Sequence, residues 1–243
     1  QRLVLRMAAV THTAKVYLNG QLVCQHKGGF LPFEAEVNSY LQEGENLLTI
    51  AVDNRIDHST LPVGGENGQS MLGGNVAANA KPRNLPNFDF FNYCGITRPV
   101  KLYTTPHAYI RDLSLQARVE DGTAFIEYQV DAVGEGEALV ELWDESGQRV
   151  AESAGKEGVL RVEQPHLWQP LQAYLYQGRA AFGEDRYTLP YGLRTVEVQG
   201  GKFLINGKPF YFKGYGKHED TFPAGRGLNE PMNVKDISLM KWQ

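Results

Sequence analysis

Helical spacing is clear only once in this 243-residue chain, at Val234, Ile237 and Met240, close to its end. The stretches before it are short, alternate apolar with polar residues and are separated by turn formers, so the reading is a mainly β chain. In Ala14-Lys15-Val16-Tyr17-Leu18, Asn19-Gly20 and Gln21-Leu22-Val23-Cys24, the Asn-Gly pair accepts positive φ at both centres of a type I′ turn, which predicts a β-hairpin. A second Asn-Gly hairpin is expected over 203–210, around Asn206-Gly207, and residues 1–7 and 46–54 read as further strands.

After Pro106, strands are expected at 110–119, 124–133, 138–144, 159–162, 174–182 and 187–194. Their spacing is that of an immunoglobulin-like β-sandwich, a fold of about 100 residues. Residues 55–88 differ: Pro62, Gly64-Gly65, Gly68, Gly73-Gly74 and Pro82 interrupt a run with Asn at 67, 75, 79, 84 and 87 and no periodicity. This is read as one long loop, a length that in compact domains usually serves function or stays unordered. The strand at 210–213 is nearly all apolar, as a parallel strand covered on both faces would be, and the helix after it lacks a closing glycine. Residues 197–243 are therefore expected to be the start of a larger domain, and the chain a piece cut at both ends.

Charge excludes several partners. Twenty-four Lys and Arg against 28 Asp and Glu leave a formal charge of −4 with no basic tract, which argues against an electrostatic grip on nucleic acid or anionic lipid. No apolar run approaches the ~20 residues that cross a bilayer. Cys24 and Cys94, 70 positions apart, exclude a disulfide framework and a Cys-x-x-Cys zinc site, and are read as two buried thiols of a reducing compartment. With no Asn-x-Ser/Thr acceptor, this points to a cytoplasmic bacterial protein. No metal and no cofactor are expected, since the sequence has no His-Glu-x-x-His, phosphate loop or dinucleotide fingerprint.

Two segments stand out chemically. Asp89 lies between Phe88 and Phe90 in Asn87-Phe88-Asp89-Phe90-Phe91-Asn92-Tyr93, and a carboxylate beside aromatic faces suits a sugar, whose C–H face packs on a ring while its hydroxyls bond the acid. A turn-forming Asp with core neighbours fits the same residues. His218 lies in Lys213-Gly214-Tyr215-Gly216-Lys217-His218-Glu219-Asp220, just past the apolar strand. If that strand opens a (β/α) barrel, His218 faces the substrate end; otherwise it reads as a surface ion-pair partner. Glu219 and Asp220 are adjacent, so on an extended segment they point apart and cannot serve as the facing acids of a glycosidase.

Six motifs carry a resemblance. Val10-Thr11-His12 with Lys15-Val16-Tyr17-Leu18-Asn19-Gly20, Gly28-Gly29-Phe30 with Pro32-Phe33-Glu34-Ala35, Asp89-Phe90-Phe91-Asn92-Tyr93 with Gly95-Ile96, Leu102-Tyr103-Thr104-Thr105-Pro106, Pro165-His166-Leu167-Trp168-Gln169-Pro170, and the His218 segment follow one order. Together they resemble the β-glucuronidases of glycoside hydrolase family 2. The resemblance implies a jelly-roll sugar-binding-type domain over 1–107, an immunoglobulin-like β-sandwich over 108–196, and the first β/α element of a truncated TIM barrel over 197–243. It implies that Asp89 binds glycone hydroxyls and that His218 lines the same pocket, with no catalytic residue inside the chain because both catalytic glutamates belong further along the barrel. The implied substrate is a glucuronide, small molecule or oligosaccharide, and the implied assembly a homo-oligomer. A β-galactosidase or galacturonidase of the same family, or a non-catalytic carbohydrate-binding module, are the alternatives. Phe222-Pro223-Ala224 replaces the family's common Asp-Ile/Leu-Arg run, and the Gly-rich stretch 61–84 is longer than in the enteric enzymes.

Overall fold

The computed structural model describes residues 1–55, 59–61 and 93–242. Asp89 and nearly all of the expected loop at 55–88 lie outside the described residues. The chain divides into two compact units, one of residues 2–104 with 215–243, the other of residue 1 with 105–214.

The first unit contains β1 (Arg2–Met7), β2 (Val10–Thr11), β3 (Thr13–Leu18), β4 (Gln21–Lys27), β5 (Phe33–Glu36), a 3₁₀ turn (Asn38–Tyr40), β6 (Leu48–Asp53), β7 (Gly95–Ile96) and β8 (Val100–Thr105). They form sheets of order β5-β1-β8 and β4-β3-β6, with β2 paired to β7. Along β3 the two-residue period puts Ala14, Val16 and Leu18 in the core and Lys15 in water. They pack with Leu5, Met7, Val10 and Val37. The hairpin between β3 and β4 turns at Asn19 (φ 52°) and Gly20 (φ 79°), the paired positive values of a type I′ turn.

The second unit contains β9 (Tyr109–Glu120), β10 (Thr123–Val133), β11 (Ala138–Trp143), β12 (Arg149–Ala154), β13 (Glu157–Glu163), β14 (Tyr176–Phe182) and β15 (Asp185–Tyr191). These make two antiparallel sheets, β13-β10-β9 and β12-β11-β14-β15, the three-on-four arrangement of an immunoglobulin-like sandwich. Between them lie Ile126, Val140, Leu142, Leu160, Tyr176 and Phe182, all nearly or wholly removed from water. Strand β12 is not among the expected strands, because Arg149-Val150-Ala151-Glu152-Ser153-Ala154 has too little apolar bulk to display an alternation.

A small meander follows in the same unit: β16 (Val196–Gln199), β17 (Lys202–Ile205) and β18 (Lys208–Pro209). Its turn is again type I′, with Asn206 at φ 51° and Gly207 at φ 71°. Asn206 also fixes the meander to the sandwich edge. Its amide Nδ2 donates to the Trp168 carbonyl at 2.9 Å, and its Oδ1 accepts from the Thr195 N–H at 3.1 Å. The helix α1 (Glu230–Trp242) belongs to the first unit, and Asn229 caps it by accepting the Met232 N–H at 3.1 Å.

Two expectations are corrected. Residues 210–213 are not a strand: the Phe210 N–H donates to the Phe203 carbonyl at 2.9 Å, but no ladder forms with them among the described residues, and Tyr211 and Phe212 stay 79% and 65% exposed. A parallel strand owes its existence to neighbours on both edges, so apolar composition alone does not make one. The two thiols are not both buried, since Cys24 is half-buried and Cys94 exposed.

Because Asn206 supplies both a positive φ and two amide hydrogen bonds, two substitutions separate these contributions. Asn206→Gly keeps the turn and should lower stability by about 1–2 kcal/mol, the net worth of two amide bonds. Asn206→Ala should lose about 1 kcal/mol more, through the left-handed backbone. Denaturant midpoints at constant slope provide the measurement.

Candidate functional site

Of the two sequence-predicted site residues, only His218 can be located, and it is exposed. It lies in the stretch 211–220, which has neither helix nor strand geometry, and not at the end of a formed strand as expected. Its neighbours are tied down instead. Lys217 Nζ reaches Asp236 Oδ2 of α1 at 3.1 Å and also donates to the His218 carbonyl at 3.3 Å. Glu219 Oε2 accepts from Arg98 Nη2 at 3.1 Å, across 121 residues of sequence. Asp220 faces Arg226 at 3.7 Å.

Beyond Asp220 the chain closes on itself. The Thr221 and Gly225 backbones exchange hydrogen bonds of 2.8 Å, making a tight turn over the Phe222-Pro223-Ala224 departure. Leu228 N–H then donates to the Thr97 carbonyl at 3.1 Å. Around this junction Arg98, Glu219, Thr221, Arg226, Asn229 and Asn233 line a cavity of only about 20 Å³. Glu219 and Asp220 take different cations, Arg98 and Arg226. Sequence reasoning missed Arg98, Thr97 and Asp236, because partners this far apart leave no local signal.

Larger hollows, about 460–670 Å³, lie on the sandwich unit; His166 and Tyr174 line two of them, with Glu145 in one and Asp144 and Glu163 in the other. Another, of about 320 Å³, lies in the first unit beside His12, Gly28, Gly29, Phe30 and Thr60. His12 is 1% exposed, and among the described residues neither ring nitrogen has a hydrogen-bond partner. Burial pushes its pKa below the ordinary 6.5. Asp53 is also lowered, to about 2, but by hydrogen bonds from Arg55 that favour its charged form. Among the described residues no group of three His, Cys, Asp or Glu side chains could hold a metal ion.

With this geometry in place, similarity becomes informative. Residues 1–106 match the profile of "Glycosyl hydrolases family 2, sugar binding domain", 101–194 that of "Glycosyl hydrolases family 2", and 196–243 that of "Glycosyl hydrolases family 2, TIM barrel domain". The architecture is thus a sugar-binding-type sandwich, an immunoglobulin-like sandwich and the start of a TIM barrel. The chain belongs to glycosyl hydrolase family 2.

Within the family it is similar to β-glucuronidases. It is 42% identical to the β-glucuronidase of Paenibacillus borealis and 42% identical to that of Felis catus, each over 99% of this chain and 41% and 40% of the relative. Among solved structures it superposes on Faecalibacterium prausnitzii β-glucuronidase with a TM-score of 0.88 at 50% identity, covering 100% of this chain and 42% of that one. On Bifidobacterium dentium β-glucuronidase complexed with coumarin-3-O-glucuronide the TM-score is 0.90 at 45% identity, with 100% and 45% covered. The chain spans about two-fifths of the length of the curated relatives it matches.

The buried His12 yields a pH prediction. Unfolded, it takes up a proton near pH 6.5; folded, it does so only at lower pH, so the unfolded state gains protons first as pH falls. Stability should be full above about pH 6.5 and decline below it, and His12→Phe should flatten that decline. Chemical denaturation at pH 7.5, 6.5 and 5.5 measures it, a window above that in which Asp53 loses its charge.

Proposed function

We propose that the protein to which this chain belongs is a retaining β-D-glucuronidase, acting on terminal β-glucuronides. One observation supports this above others: likeness to β-glucuronidases runs through both sandwiches and the His218 segment, from bacterial and mammalian relatives alike. In such a mechanism one carboxylate attacks the anomeric carbon while a second protonates the leaving oxygen, the two standing roughly 5–5.5 Å apart. Water then releases the sugar with the second acting as base. Neither carboxylate is assigned to this chain, whose adjacent Glu219 and Asp220 point to separate cations. Its own share is recognition: Asp89 accepts bonds from glycone hydroxyls and His218 lines the same pocket. The free thiols and the lack of glycosylation acceptors support a bacterial cytoplasmic setting, and the protein acts as a homo-oligomer.

The full-length protein should release 4-nitrophenol from 4-nitrophenyl β-D-glucuronide faster than from the corresponding galactoside or galacturonide. A preference for either of the latter would move it to another sugar within the family, and no turnover of any would favour a binding module. The 243-residue chain alone should release none.

In the full-length protein Asp89→Ala should reduce kcat/KM by about 1.5–3 kcal/mol of transition-state binding, the worth of a charge-assisted hydrogen bond. Its melting temperature should barely change. A large thermal loss at unchanged rate would instead make Asp89 a structural turn residue.

A further inference from the structure

His218 sits in a stretch without helix or sheet, so the contacts that hold its neighbours bear directly on its place. Consecutive Cα atoms are 3.8 Å apart, and tethers on both sides leave the residue between them little travel. On one side Lys217 is bound to Asp236 of α1. On the other Glu219 is bound to Arg98.

Arg98 is itself well placed to act as a fixed point. It occupies the short link between β7 and β8, and backbone bonds flank it: Thr97 N–H donates to the Ala9 carbonyl at 3.3 Å, and Ala8 N–H to the Pro99 carbonyl at 3.1 Å. The same link accepts Leu228 N–H through Thr97. Just upstream, the Tyr93 ring lies against Gly225, where an added Cβ would come within 2.8 Å of it and where φ is +52°. Three contacts of different kinds thus join the β7–β8 region to the chain on either side of Asp220.

We propose that Arg98 is a positioning residue for His218, holding Glu219 so that the imidazole stays where a sugar can meet it. The role of the imidazole rests on the glucuronidase reading above; the tether itself does not. The pair is exposed, Arg98 at 36% and Glu219 at 72% of their side chains, and exposed pairs add little to stability. What it supplies is location. Misplacement of a binding group by about 1 Å can cost a hundredfold in rate, so a modest slackening is visible in kinetics before it is visible in melting.

The test uses the full-length protein. Arg98→Ala and Glu219→Gln should each lower kcat/KM for 4-nitrophenyl β-D-glucuronide about tenfold with an unchanged melting temperature, and the exchanged pair Arg98→Glu with Glu219→Arg should regain most of the loss. In a His218→Ala background, Arg98→Ala should cost nothing more, a non-additivity that a merely structural role would not produce. An arm independent of activity follows the His218 ring signal by NMR in 13C-histidine-labelled protein. Arg98→Ala should shift it and leave His107 and His166, in the other unit, in place. Should the wild type hydrolyse no glucuronide, this arm still decides the tether. An unmoved His218 signal, or additive losses, would overturn the proposal, and Glu219→Gln answers the same questions if Arg98→Ala does not fold.

Discussion

Each sheet in this chain has one face that must leave water, and pairing sheets face to face is the only way these short strands achieve it. The two-residue period makes the demand specific: a slip of one residue in β10 would exchange Ile126, Tyr128 and Val130 for Glu127 and Gln129 in the core. Register therefore matters more than any single contact, and the turns that set register carry unusual weight. Both Asn-Gly turns do this in the same way. Each Asn takes the left-handed backbone and also spends its amide on a neighbouring segment, Asn19 on Tyr40 and Leu47, Asn206 on Trp168 and Thr195. A glycine could copy the backbone but not the tie.

The path of the chain after the sandwich follows from a shortage of partners rather than from propensity. Residues 202–209 find one another and form a meander, but 211–220 find no strand among the described residues and remain exposed. What keeps them located includes three ion pairs, Lys217–Asp236, Glu219–Arg98 and Asp220–Arg226, and the Phe212 ring against Phe203 and Phe210. The helix α1 has the same character: its spacing is helical and its cap is made, yet Val234 and Ile237 stay 67% and 49% exposed. Local structure there is complete while burial is not, which separates two things that in the sandwich occur together.

This separation explains what could be read from the sequence. Hairpins, most sandwich strands and α1 were legible because period, turn residues and caps are local. Strand β12 was not, since Val150 and Ala151 offer little contrast with Glu152 and Ser153. The strand expected at 210–213 failed because its period-free apolar run states only that burial is wanted, and burial depends on chains far away. At the site, His218 and Asp89 were singled out by residue type and motif, whereas Arg98 was invisible. Nothing in Gly95-Ile96-Thr97-Arg98-Pro99 announces a carboxylate partner 121 residues later.

The adjacent acids at 219 and 220 show how far such local reasoning reaches when geometry supports it. Adjacency in sequence argues against a shared role for these two acids, and here Glu219 goes to Arg98 while Asp220 goes to Arg226. Each is occupied by a guanidinium. A pair so arranged cannot divide the work of nucleophile and proton donor. Such a pair can instead fasten one segment at two consecutive residues, next to the imidazole that lies between Lys217 and Glu219.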